Sequence, residues 1–489
     1  MKKLILIYLL GISTLLMGQV GIGTSTPHAS SVLELSSTSK GFIPPRMTAV
    51  QRDNIASPAQ GMVIYCTDCG ARGQLQVFDG VEYSDITGGQ RIFTARSQVG
   101  DDIDGEASGD QSGYSVAISS DGTIVAVGAP YNDGSGSNAG HVRVFEYSNG
   151  VWSQLGSDID GEAAGDQFGS DVALSDDGSI LAVGATLNDG NGSDAGHVRV
   201  FEFSNGTWSQ LGADIDGEAA GDRSGWRVSL SSDGTKLAAG GYLNDGAGSE
   251  AGHVRVFEYS SGTWNQLGAD IDGESAGDYA GVSIALSSNG QIVSVGSIFN
   301  DNNGTDAGHV RVFEYSNSSW SQMGADINGE SAGDNSGFVS LSSDGLTIAI
   351  GAWKNDGTAT DAGHVRVYEY ANGAWSQLGS DIDGEAAGDN SGWSVSLSGD
   401  GTRLSVGAYL NYGTTGSQSG HVRVFEYANG SWIQLGADID GEASSDYSGY
   451  STQLSRDGTT LSVGAYYNDG SGNVSGHVRV FDNLNTTGL

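Results

Sequence analysis

The chain is poor in several of the groups on which enzymes and membrane proteins rely. Of 489 residues, two are cysteines, five prolines and eight histidines, and 21 lysines and arginines stand against 59 aspartates and glutamates. A formal charge of −38 excludes nucleic acid and anionic membrane as natural partners, since both would be repelled. Cations, metal ions or a basic protein surface fit instead. Cys66 and Cys69 make one C-x-x-C pair, and a structural zinc needs four ligands. They are read as a disulfide stapling a turn in an exported protein, in preference to free thiols or redox chemistry. The apolar run Leu4 to Met17 behind Met1-Lys2-Lys3 is short for a bilayer span and is predicted to be a signal peptide, residues 1–18. No cysteine follows it, so a lipid anchor is not expected. No later segment is apolar enough to span a membrane. A Walker loop and a metalloprotease motif are also missing.

Glycine, by contrast, is abundant, at 79 residues, and it belongs to a repeat. The tetrad His-Val-Arg-Val begins at 141, 197, 253, 309, 364, 421 and 477. A fixed period of this length announces a repeat architecture. Within the copy from Ser157 to Gly212, apolar alternation over 171–174, 179–183, 197–203 and 207–211 has the period of strands. Asp177-Gly178 and Asn205-Gly206 read as hairpin turns whose central residues need positive φ. Each copy is a four-stranded meander, which must stack on its neighbours to bury its faces.

The fold class expected is therefore all-β, a seven-bladed β-propeller of four-stranded antiparallel blades over residues 93–489. A signal peptide and a small β-rich module, residues 19–92, precede it. The last copy ends after Val480-Phe481 and lacks a fourth strand, whereas Ser97-Gln98-Val99-Gly100 stands unclaimed ahead of the first copy. The closing blade is expected to be completed from the N-terminal side.

Phe168-Gly169, Gly128-Ala129-Pro130 and the Gly-His-Val-Arg-Val-Phe strands resemble FG-GAP repeats, the units of the integrin α-subunit propeller, over Ser97 to Phe481. Most copies depart from the pattern, with Ser-Gly for Phe-Gly. The family's calcium loop lies between the first and second strands, where this chain has only a tight turn, so that metal site is not carried over. Residues 19–92 resemble the N-terminal region of exported bacterial surface and tail-fibre-like proteins. Together these imply an exported protein, secreted or held at the cell surface in association with the outer membrane, and not membrane-spanning.

Two long loops per copy emerge on one rim and carry most of the acid. In the first four copies their carboxylates are Asp102, Asp104 and Glu106; Asp158, Asp160 and Glu162; Asp214, Asp216 and Glu218; and Asp270, Asp272 and Glu274. Such hard oxygen donors suit calcium, although Asp and Gly are also ordinary turn formers. The repeated His and Arg read as scaffold that packs between blades, with Arg paired to a loop carboxylate. The six tryptophans of the fourth strands read as scaffold too.

Function is expected where copies differ. At the start of the first strand stand Tyr114, Trp226, Phe338, Trp393 and Tyr450. By resemblance to the integrin propeller these form a cage for a basic side chain. A second set, Tyr131, Tyr242, Trp353, Tyr409 and Tyr466, leads into the Asn-Asp-Gly loops and could stack on sugars. Inter-blade packing is the plainer reading of both sets. The expectation is a non-enzymatic binding or adhesion propeller for a protein or glycan, with Ca2+ as its candidate cofactor. The alternative is a propeller enzyme, such as a hydrolase, lyase or quinone-dependent oxidoreductase, acting on extracellular polymers.

Overall fold

A computed structural model describes short stretches between residues 20 and 85, then residues 97–413 and 415–482. The expected signal peptide lies outside the described residues. The chain divides into two units, Met1–Ile92 and Phe93–Leu489. Apart from a helical turn at 51–52, the described elements are strands. No helix among the described residues is long and apolar enough to cross a membrane.

In the first unit, Arg46–Met47 pairs in parallel with Val63–Cys66, and Gln74–Phe78 and Tyr83–Asp85 continue the sheet in antiparallel fashion. Ile64, Cys66 and Phe78 form its small core. Cys66 is disulfide-bonded. Cys69, the only other cysteine of the chain, lies outside the described residues.

The second unit is a succession of antiparallel sheets of one design. In the second copy, Phe168–Leu174, Ile180–Ala185, His197–Ser204 and Thr207–Gln210 pair in sequence order. Every residue of Ile180–Ala185 is buried, as a strand with sheets on both faces requires. The outer half of His197–Ser204 alternates buried and exposed, because there only one face is covered. Gly184 sits where a Cβ would come within 1.9 Å of the Gly225 carbonyl oxygen, so the close approach of the next sheet demands glycine.

Two features differ from the sequence reading. Each sheet has a short fifth strand: Ile215–Asp216 pairs with His197 and Val198, so the start of the acidic loop is strand. Its isoleucine turns into the core, 6% exposed, and its acids face the other way. The Asp-Gly turn is also of a different kind. Asn205 and Gly206 both have positive φ, but of Asp177-Gly178 only the glycine does. Asp177 instead accepts from the Ser179 amide at 2.9 Å and from Ser175 Oγ at 2.7 Å, which fixes the turn without a left-handed aspartate.

Neighbouring sheets are tied at both radii. On the outside, Trp208 Nε1 donates to Leu155 O of the preceding sheet at 2.8 Å, and the other five fourth-strand tryptophans make the equivalent bond. On the inside runs a closed circle of backbone bonds. Ser120 N donates to Asp176 O, and the donation passes through Ser232, Ser288, Ser343 and Gly399 to Arg456 O. Asp457 N then donates back to Ser120 O at 3.3 Å. Seven five-stranded sheets are present among the described residues. The last is assembled from both ends of the unit: Ser97–Gln98 pairs with Phe481 and Asp482, and Ile103–Asp104 pairs with His477 and Val478. These repeated antiparallel sheets around a common channel are a β-propeller.

Candidate functional site

Three groups of side chains stand out from the scaffold. The first is the aromatic hub. The two aromatic sets of the sequence reading interdigitate. Tyr114 lies 5.1 Å from Tyr450, Tyr450 lies 5.5 Å from Trp393, and Trp393 lies 4.9 Å from Phe338, centroid to centroid. Tyr131 joins Tyr114, Tyr242 joins Trp226, Trp353 and Tyr409 join Trp393, and Tyr466 joins Tyr450. Phe338 and Tyr242 are buried, and burial drives the Tyr450 hydroxyl well above its ordinary range, with Tyr114 adding to the shift. The rings thus largely pack one another. The cations over them belong to the chain itself: Arg227 Cζ stands 5.5 Å from the Trp226 ring and Lys354 Nζ stands 4.5 Å from Trp353.

Below the hub runs the second group, a central channel of about 260 Å³ walled by the first strands. One wall position recurs as Ser115, Ser283, Ser394 and Ser451; in the fifth sheet the same register is held by Phe338, and only in the second and third sheets is it charged, as Asp171 and Arg227. Asp171 Oδ1 lies 3.8 Å from Arg227 Nη1, and the two side chains are 17% and 24% exposed. A register shift directly precedes each of them, between Phe168 and Asp171 and between Ser224 and Arg227. Bulges of this kind re-aim side chains. Asp171 Oδ2 accepts from Val228 N at 2.7 Å. Its burial in the wall pushes its pKa up to about 6, held back by Arg227 and by the amides of Val228 and Val172. At the far end Arg456 Nε meets Asp176 Oδ1 at 2.6 Å and its guanidinium donates to Ser343 and Ser288, bracing that mouth across the channel.

The third group lies on the loop-rich rim. Each acidic loop shares a buried histidine with its neighbour. Glu106, His141 and Asp158 converge, as do Glu162, His197 and Asp214; Glu218, His253 and Asp270; and Glu274, His309 and Asp326. Asp102 and Asp104 meet His477. These groups could hold a metal ion. The three acids of one loop are therefore divided between clusters. Asp160, Asp216 and Asp272 are exposed, and it is their backbone carbonyls that accept from Arg199, Arg255 and Arg311 at 2.5–2.6 Å. Arg143 pairs with Glu106 at 3.6 Å. The arginine is scaffold, as expected, but the histidine also belongs to an acidic cluster. Burial holds all seven histidines below the ordinary imidazole range.

The fold and channel define a β-propeller with a charged pair in its bore. Residues 103–145, 159–201 and 382–425 match the FG-GAP repeat, and residues 21–101 match the phage tail like trimerisation region. The second unit thus carries FG-GAP repeats. No curated protein matches it at a significant level. Among solved structures it is similar to the Pseudomonas aeruginosa periplasmic gluconolactonase PpgL, at 16% identity over 76% of this chain and 93% of that one, with a TM-score of 0.47. It is also similar to Kuenenia stuttgartiensis hydrazine synthase, at 14% identity over 80% and 99%, with a TM-score of 0.48. The expectation of a non-enzymatic adhesion propeller is corrected here, because the matching propellers bear the names of enzymes.

Proposed function

We propose that the second unit is a seven-bladed propeller enzyme, a hydrolase or lyase, working on the end of an extracellular polymer such as a glycan. In this reading Asp171 takes and returns the proton, and Arg227 holds a negatively charged group of the substrate. The observation that supports it is the break in the repeat at the channel wall: in a ring of near-equal copies, catalysis needs a place that is unlike the others. A carboxylate titrating near 6 is close to optimal for general-base work at neutral pH. A channel of about 260 Å³ suits a chain end better than the middle of a polymer. The seven sheets and the closed backbone circle support the blade number, and the apolar leader supports export.

Turnover should be measured on a panel of sugar lactones, acidic oligosaccharides and their esters. It is expected to rise with pH through about 6 and to fall at least 100-fold, about 3 kcal/mol of barrier, in Asp171→Asn. The melting temperature should hold, since Asn keeps an acceptor for Val228 N. If no member of the panel turns over, or if Asp171→Asn keeps pace with wild type, the catalytic reading fails. The likeness of residues 21–101 to a trimerisation region supports an assembly of three chains. Light scattering on the intact chain should give three times the chain mass, and a monomer mass would refute that assembly.

A further inference from the structure

We propose that the loop-rich rim binds a first-row divalent cation such as zinc at one-histidine, two-carboxylate sites repeated from sheet to sheet, defined most sharply at His253 and His309. This inference is independent of the channel chemistry. Both histidines are essentially inaccessible, at 1% and 0% exposed, and neither ring nitrogen of either has a hydrogen-bond partner. An imidazole buried with nothing to bond is costly, so an unpaired Nδ1 aimed at acids needs an explanation. His253 Nδ1 stands 3.8 Å from Glu218 Oε2 and 3.9 Å from Asp270 Oδ2. His309 Nδ1 stands 3.9 Å from Glu274 Oε2, and Asp326 completes the group.

These separations are too long for hydrogen bonds. They are close to what a shared cation produces: ligand atoms bound tetrahedrally at about 2.0–2.3 Å lie roughly 3.3–3.8 Å apart. The donor set narrows the metal. Calcium and magnesium take oxygen ligands, whereas imidazole suits zinc and its first-row neighbours. One histidine per cluster therefore turns loops whose carboxylates alone suggest calcium toward a borderline cation. The local charge is favourable. Glu218 and Asp270 are joined nearby by Asp222 and Asp272, against one guanidinium, with Arg255 Nη1 3.9 Å from Glu218 Oε1. Glu218 and Asp270 are 44% and 30% exposed, so a bound ion would keep positions open to solvent.

The test uses the whole chain, stripped with chelator and titrated separately with zinc and with calcium by equilibrium dialysis. Two or more zinc ions per chain are expected at a Kd below about 100 μM, with calcium at least tenfold weaker. The double variant Glu218→Gln/Glu274→Gln should lose two of those ions. Its melting temperature in metal-free buffer should stay within a few degrees of wild type, because both glutamates lie at the surface. His253→Asn/His309→Asn should lose the same two ions. No zinc bound at about 1 mM, full stoichiometry in the glutamate variant, or calcium bound as tightly as zinc would each overturn the proposal.

Discussion

In metal-free buffer, lowering the pH from about 6.5 to about 4 is expected to unfold the propeller in one steep step. Each of the seven buried histidines titrates lower in the folded protein than in the unfolded chain. For His253, burial is the main cause and Arg255 adds to it. Asp270 and Asp222 work against the shift, and the pKa is pushed down to about 4. His477 is also pushed down to about 4, by burial first, with Asp102 opposing and Arg479 assisting. Between these values and the ordinary imidazole value the unfolded chain holds more protons than the native one. Stability is therefore full above about 6.5 and is lost as pH falls toward 4, at ~1.4 kcal/mol per pH unit for each such histidine. A shift of that size is worth about 3 kcal/mol per site, against a typical domain stability of about 5–15 kcal/mol. Asp171 runs the other way. Its raised pKa makes the native state the better proton binder between about 4 and 6, and it offsets about one histidine. The other raised carboxylates, Asp104, Glu218, Asp272 and Glu442, lie on the open rim and contribute little. Urea midpoints at half-unit pH steps would measure the net proton uptake. Net proton uptake on unfolding is the expected result, and a flat profile down to about pH 4.5 would show that the histidines are not held neutral by the fold.

Deleting residues 93–104 is expected to cost on the order of 5 kcal/mol or more, enough to remove the cooperative melt. Ile103 is 4% exposed and packs with Val125, Phe145, Val478 and Val480. Its loss leaves a cavity between the first and last sheets. Val99 N donates to Val480 O at 2.7 Å, and Val99 O accepts from Trp152 Nε1 at 2.7 Å, so both bonds go. Asp104 O is the acceptor of Arg143 Nη2 at 2.5 Å, and its removal leaves a buried guanidinium short of a partner. The His477–Asp482 strand would gain an open edge. Calorimetry of the truncated chain beside wild type decides this. An unchanged melting temperature would mean that the ring closes without its N-terminal contribution.

The strands, the period and the closing deficit are legible in the sequence because period-two alternation and turn residues recur in every copy. The fifth strand is not, because Asp-Ile-Asp offers one apolar residue between two acids and looks like loop until it is seen lying against His-Val. The rim clusters escape for a related reason. Glu106, His141 and Asp158 are far apart in the chain; the pairing of Ile159–Asp160 with the histidine strand brings Asp158 to His141, and Glu106 arrives from the neighbouring sheet, where it pairs with Arg143. Asp171 and Arg227 do leave a mark, as the two copies where the serine of the wall position is exchanged for a charge. That the aromatics converge follows from the repeat. That Arg227 stands over the Trp226 ring does not, since adjacency in the chain leaves the direction of the side chain open.

The closing sheet also bears on the order in which the protein can be made. Ser97 and Asp482 are 385 residues apart, and their strands cannot meet until the ribosome has delivered almost the whole chain. Each sheet between them can form as it emerges, yet the growing stack keeps two raw ends throughout synthesis: the uncovered face of the first sheet and the edge still waiting for its partner. Nascent chains on one message would carry the same complementary ends side by side. A fold whose final act joins the oldest residues to the youngest is thus most open to intermolecular mispairing just before translation is complete, and its yield should depend more on how quickly the last copy is released than on how quickly any one sheet folds.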